Sequence, residues 1–251
     1  MEDPKIMMNL FSRTISTAAA ATTVGLLIVG GMVLTSPRAH ADSKADTKAE
    51  DLAQIGLRIA PVKLTYKPQN RELVGLGSFI VNAQAGCNGC HGSDPTKEYA
   101  PGGNPFFNQH PAVVNPDTYL AGGRDFGPVG GGIVNGVTGP GPHIISRNLT
   151  PDKTGLPAGG ITFADFLAIM RNGTDFDHAH LNCSQSVTDN CYFPPADGAL
   201  LQIMPWPAFS NMTDRQLLAI WTYLSAIPCI DNTTSVGPAG SPDLLRNDCG
   251  N

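Results

Sequence analysis

Residues 85–92 read AGCNGCHG. Two thiols three positions apart, Cys87 and Cys90, are followed at once by an imidazole, His91. This Cys-x-x-Cys-His spacing lets two sulfurs add across the two vinyl groups of a haem while the neighbouring histidine ligates the iron. Three rivals share the pattern. A thioredoxin-like redox pair follows a strand in a βαβ unit, whereas the residues before Cys87 read as a helix. A zinc site needs further ligands, and Cys183, Cys191, Cys229 and Cys249 supply no second Cys-x-x-Cys. An ordinary disulfide would leave His91 without a role. The stretch therefore predicts haem c, one and covalent, with Cys87 and Cys90 as thioethers and His91 as an axial ligand.

Working outward, the segment leading into the motif is NRELVGLGSFIVNAQAG, residues 70–86. Leu73, Leu76, Ile80 and Val81 recur at helical spacing, and Gly77 shares their face, where a missing side chain lets a second helix approach. Two more helices carry their own start signals. In ITFADFLAIMRNG, Thr162 and Asp165 form a capping box, Ile161 and Phe166 a staple, and Phe163, Phe166, Leu167 and Met170 a face that Gly173 ends. In MTDRQLLAIWTYLSAIP, Thr213 and Gln216 form the box, Leu217, Ile220, Trp221 and Leu224 the stripe, and Pro228 the stop. Between the motif and the second helix the chain is rich in Gly and Pro. There GGGIVNGVTGP, with Asn135-Gly136 between apolar residues, predicts a short β-hairpin rather than a phosphate cradle, since it lacks a Walker lysine.

The N-terminus bears on where such chemistry would operate. Residues 17–34 form an uncharged apolar run, preceded by Lys5 and Arg13 and followed by Ala39-His40-Ala41. This is the pattern of a secretory signal peptide cut after Ala41; an uncleaved anchor facing the periplasm is the alternative. Residues 42–69 open with a polar, charged stretch and are expected to be a flexible lead-in, with packed structure from about residue 70. Export to an oxidising compartment predicts that Cys183 pairs with Cys191 and Cys229 with Cys249, tethering a tail of residues 231–251. His178 and His180 near Cys183 read as loop residues. The chain has 251 residues and a net charge of -5, with no Lys/Arg block, so a nucleic-acid surface has no electrostatic footprint.

An iron held by His91 has a sixth position to fill. After cleavage three methionines remain, Met170, Met204 and Met212. Met170 lies on an apolar helix face, and Met212 is placed to staple Leu217. Met204 lies in ALLQIMPWPAF, where Pro205 and Pro207 restrict the backbone beside Trp206, a segment suited to hold a thioether over a haem face. His110, His143, His178 and His180 stay open as alternatives. Arg124, Arg147 and Asn148 are candidates to meet the haem propionates.

A Gly-bearing helix running into Cys87-Asn-Gly-Cys90-His91, a later Met-Pro and a final helix with Trp221 and Tyr223 resemble a class I c-type cytochrome. RNLTPDKTG (residues 147–155), ITFADFLAIMRNG and MPWPAFSNMTDRQLLAIWTYLSAIP are similar to the cytochrome c domains and subunits of bacterial periplasmic alcohol and sugar dehydrogenases. The resemblance covers residues 70–92 and 145–228. It implies a mainly α, cytochrome c-like fold over residues 70–230 around one haem, with long Gly/Pro-rich loops and a crossed pair of terminal helices. It implies Met204 as the distal ligand, and a periplasmic electron carrier that makes no bonds. Its partners would be redox proteins, such as a periplasmic dehydrogenase and a terminal oxidase or other respiratory acceptor. Two alternatives remain: a cytochrome subunit docked to a dehydrogenase, and a haem enzyme or gas sensor with an open sixth site.

Overall fold

The computed structural model describes residues 51–128, 131–134, 137–140, 143–176, 200–201, 203–232 and 247–250. Residues 51–59 are helical (α1). Then follow α2 (Arg71–Phe79), α3 (Asn88–His91), four short strands, a helical turn α4 (Pro157–Gly160), α5 (Phe163–Asn172), α6 (Trp206–Phe209) and α7 (Asp214–Leu224). The described chain is mainly helical, as expected.

The core forms where α2 and α7 pack. Val74, Leu76, Ile80 and Val81 from α2 and its extension are buried, as are Leu217, Ala219, Ile220, Tyr223 and Leu224 from α7. The expected role of Gly77 holds: a Cβ placed there would lie 1.9 Å from the Ala219 carbonyl oxygen. Thr213 and Gln216 close the capping box on α7, so the helix begins where the chain can still reach Met212. Trp221 is half-buried and donates its indole N–H to the Ile161 carbonyl at 3.1 Å. Its ring meets Phe163 edge to face at 5.9 Å. That contact seats α5, whose Phe166 and Met170 point into the core. Thr162 caps α5 at its start, and Gly173, at φ 69°, ends it in the left-handed region.

The flexible lead-in expected over 42–69 is corrected for residues 51–59. α1 packs on α2 through small residues: a Cβ on Gly56 would lie 1.8 Å from the Gly75 carbonyl oxygen, and one on Gly75 would lie 2.3 Å from that of Ala53. The Ser78 hydroxyl donates to the Gly56 carbonyl at 2.7 Å. Backbones this close gain dispersion contacts, and Leu52 and Leu57 pack against the core beside them. The chain then runs through Val62, Leu64 and Tyr66, all packed against the core, and the Thr65 amide donates to the Ala226 carbonyl at 2.8 Å.

The hairpin is also present. β2 (Gly131–Val134) and β3 (Val137–Pro140) are antiparallel with Val134 opposite Val137, so Asn135-Gly136 falls between them. A second antiparallel pair, β1 (Asp125–Pro128) with β4 (His143–Ile145), flanks it in sequence. At the other end of the chain, Cys229 and Cys249 form the expected disulfide. Cys183 and Cys191 lie outside the described residues. The tail is more than tethered: Asn247 is 1% exposed and is bonded into the loop at Thr150–Pro151. Among the described residues no helix is long and apolar enough to cross a membrane; residues 17–34 lie outside them.

Candidate functional site

The helix entering the motif changes character before it arrives. α2 widens into a π turn, Ile80–Gln84, in which the Ala85 amide donates to the Ile80 carbonyl at 2.8 Å and the Cys87 amide to the Val81 carbonyl at 3.2 Å. Such turns re-aim whatever follows them and recur at functional positions. Gly86, at φ 58°, then turns the backbone through the left-handed region that glycine enters without a Cβ penalty. Cys87 becomes the N-cap of α3. One helical turn thus carries both thiols and the imidazole, with the Cys90 and His91 amides donating to the Cys87 carbonyl at 3.2 and 2.9 Å. Neither cysteine is in a disulfide; Cys90 is exposed and Cys87 half-buried. Burial pushes the Cys87 thiol up to about 11.

His91 is held from outside its own helix. Its Nδ1 lies 2.8 Å from the Arg147 carbonyl oxygen. A carbonyl only accepts, so Nδ1 carries the proton and Nε2 keeps a lone pair. Burial depresses the imidazole below its ordinary value, and the hydrogen bond to the Arg147 carbonyl opposes that shift. A neutral ring with one nitrogen fixed by a carbonyl and the other free to donate is the state of a metal-ligating histidine.

Two loops converge on this turn. The Gly122 amide donates to the His91 carbonyl at 2.7 Å. Gly122 sits at φ 66°, and a Cβ there would lie 2.2 Å from the Asn148 nitrogen, so the two loops touch backbone to backbone. Asn88, inside the motif, accepts from the Leu120 amide at 2.9 Å. The Arg124 guanidinium donates to the Gly89 carbonyl and lies 5.2 Å from the centroid of the Phe126 ring.

The three expected propionate partners divide. Arg124 and Arg147 are both beside the motif, the Arg147 guanidinium donating to the Ala158 carbonyl at 3.0 Å. Asn148 is corrected. It is 2% exposed, and its amide is committed to the Ile230 carbonyl at 3.0 Å and to Thr150 at 2.7 and 2.9 Å.

Met204 lies half-buried on the rim of the core that Cys87 also borders. Its segment is anchored to the end of α5: Thr174 pairs with Leu200, the Leu201 amide donates to the Gly173 carbonyl at 2.8 Å, and a Cβ on Gly173 would fall 2.3 Å from the Trp206 ring. Met212 is likewise half-buried on the rim, and Met170 is 4% exposed within the core. His110 is exposed and precedes a cis peptide to Pro111. His178, His180 and the side chain of His143 lie outside the described residues. Among the described residues no group of three or more His, Cys, Asp or Glu could hold a metal ion.

A polar cluster near Cys87 has no counterpart in the sequence reading. The Tyr119 hydroxyl donates to Asn82 Oδ1 at 2.6 Å and lies 2.7 Å from the Tyr223 hydroxyl. Asn82 donates to Tyr223 at 3.2 Å and to the Ser78 carbonyl at 2.9 Å. The stripe pattern marked Leu224 and Trp221 on α7 but not Tyr223, because a tyrosine's hydroxyl partner is set by tertiary contact.

The residues present fit a covalently attached haem. Two unpaired cysteines and a carbonyl-oriented histidine share one helical turn, beside a half-buried apolar rim that includes Met204. No protein-family model, curated protein or solved structure matches the chain.

Proposed function

We propose that this chain is an exported single-haem c-type cytochrome that carries one electron by outer-sphere transfer between redox proteins. The observation that carries the reading is the bond from His91 Nδ1 to the Arg147 carbonyl at 2.8 Å, in the same turn as two unpaired cysteines. A thioredoxin-like pair has no use for an imidazole so oriented.

Each residue then has a role. Cys87 and Cys90 would hold the haem through thioethers, and His91 Nε2 and the Met204 sulfur would ligate its iron. A haem so bound supplies a one-electron iron(II)/iron(III) couple. With His91 and Met204 both ligating, substrates would be kept from the iron, and the chain would make and break no bonds. Arg124 and Arg147 place positive charge beside the motif, suited to propionates. The signal-like N-terminus supports a periplasmic location, with a dehydrogenase as donor and a terminal oxidase or other respiratory acceptor as recipient.

The test is production in a host with haem c maturation, followed by denaturation and acid-acetone extraction. Haem should stay with the polypeptide, and Cys87→Ala with Cys90→Ala should release it. Carbon monoxide should bind the reduced protein poorly. Haem lost to the organic phase overturns covalent attachment; rapid, tight carbon monoxide binding overturns the carrier in favour of an open-site enzyme or sensor.

A further inference from the structure

We propose that Asn247, held by the Cys229–Cys249 disulfide, is a positioning residue that sets the hydrogen bond between His91 and the Arg147 carbonyl. The inference rests on the haem reading above.

The side chain of Asn247 donates to the Pro151 carbonyl at 2.8 Å, to Thr150 Oγ1 at 3.0 Å and to the Thr150 carbonyl at 3.1 Å. It also lies 3.6 Å from the Cys229 sulfur. Thr150, fully buried, donates to Asn148 Oδ1 at 2.7 Å and accepts from the Ile230 amide at 3.1 Å. Residues 148–151 are therefore pinned on every side, and the carbonyl immediately before them is the one that His91 meets.

The same tail reaches the second loop. The Asn247 amide donates to Asn232 Oδ1, the Asn232 amide to the Asn247 carbonyl at 3.2 Å, and Asn232 Nδ2 to the Ala121 carbonyl at 3.2 Å. The next residue, Gly122, donates to the carbonyl of His91 itself. Asn247 thus bridges both loops that grip His91.

Stability alone does not call for this chemistry. An apolar tail behind a disulfide would bury as well without desolvating three polar side chains, whereas a nearly satisfied buried network specifies one backbone geometry. Loosening that geometry lengthens the hydrogen bond from Nδ1–H to the Arg147 carbonyl, makes the imidazole a weaker electron donor to iron and disfavours the ferric state, so the reduction potential should rise.

The experiment compares wild type, Asn247→Ala and the double variant Cys229→Ser/Cys249→Ser, with Lys153→Ala as control. The Lys153 ammonium pairs with Asp248 on the tail's surface at 2.7 Å, while the Lys153 amide that also bonds the tail, at the Asp248 carbonyl, is kept by the substitution. Covalent haem on a denaturing gel is scored first. Equilibration with a mediator then gives the potential, and NMR of the reduced protein gives solvent exchange of the His91 Nδ1 proton. Both network variants should favour the reduced form and exchange that proton several-fold faster, while Lys153→Ala matches wild type. Should Asn247→Ala fail to fold, reducing the disulfide of the wild-type protein, which leaves thioethers intact, makes the same comparison. Haem-bearing variants with unchanged potential and exchange overturn the inference and leave the cytochrome reading standing. A chain with no covalent haem overturns both.

Discussion

Tyr119 and Tyr223 meet hydroxyl to hydroxyl, 2.7 Å apart, from positions 104 residues distant in sequence. Asn82 joins them, accepting from one and donating to the other. Burial raises both phenols above their ordinary value of 10.0; Tyr223 raises Tyr119 further, whereas hydrogen bonds to Tyr119, Asn82 and Ser78 oppose the rise at Tyr223. The folded state therefore keeps protons that the unfolded state loses. Stability from this pair is fully present below pH 10 and falls as pH rises beyond it. Alkaline titration followed by phenolate absorbance should show these two tyrosines ionising only as the protein unfolds. Early, reversible ionisation of all tyrosines would contradict the burial.

The hub should matter more than either spoke. Tyr223→Phe leaves Tyr119 its bond to Asn82 and should cost about 1 kcal/mol, the net worth of one hydrogen bond. Asn82→Leu leaves the two hydroxyls only each other, so one of the two O–H protons loses its acceptor, at about 1–3 kcal/mol for that unsatisfied group. Urea unfolding midpoints check the order.

Gly77 and Gly89 give a second contrast. A methyl group on Gly77 would sit 1.9 Å from the Ala219 carbonyl, so Gly77→Ala must push α2 from α7. A cost of about 1–3 kcal/mol, typical of overpacking, is expected in the same assay. At Gly89 nothing lies within 4 Å of an added Cβ, so Gly89→Ala should stay within about 0.5 kcal/mol of wild type and still attach haem.

What was legible in the sequence was local. Gly77, the Thr213–Gln216 box, the pairing of β2 with β3 and the Cys229–Cys249 pair each rest on neighbours along the chain or on one repeating face. α1 was hidden by the polar opening of the lead-in, which sets the reading for all of residues 42–69; Ala53 and Gly56 make its close contact with α2, and Leu52 and Leu57 pack against the core. The acceptor for His91 was not legible either. Arg147 drew notice for its guanidinium, but it is its carbonyl that meets the imidazole, and every residue has a carbonyl. Asn247 was hidden for the same reason: most of its partners are backbone or side-chain groups nearly a hundred positions away.

Removing the Cys229–Cys249 disulfide should also lower global stability. It closes a sequence separation of 20 residues, which corresponds to about 2–4 kcal/mol in the chain-entropy account. Denaturant midpoints of Cys229→Ser/Cys249→Ser against wild type measure it. A loss far below that range would mean that the hydrogen bonds of Asn247 hold the tail without the covalent link.

The choice between Met204 and Met212 decides whether the proposed carrier stands. Both are half-buried at the rim of the core, whereas Met170 is enclosed within it. Met212 has a local use, since it precedes the capping residue Thr213 and can pack on Leu217 at the fourth helical position. Met204 has no such use; its segment is held by the pairing of Thr174 with Leu200 and by the contact of Trp206 with Gly173. Met204→Ala should abolish the thioether-to-ferric-iron charge-transfer band, lower the reduction potential and open the reduced protein to carbon monoxide, with haem retained on Cys87 and Cys90. Met212→Ala should keep the band and cost about 1 kcal/mol of stability, in the range of an ordinary point substitution. If the band disappears with Met212→Ala or with a histidine substitution and survives Met204→Ala, the ligand assignment moves to that residue. A wild-type protein that never shows the band points to bis-histidine or open coordination, and the claim of a methionine-ligated, high-potential carrier goes with it.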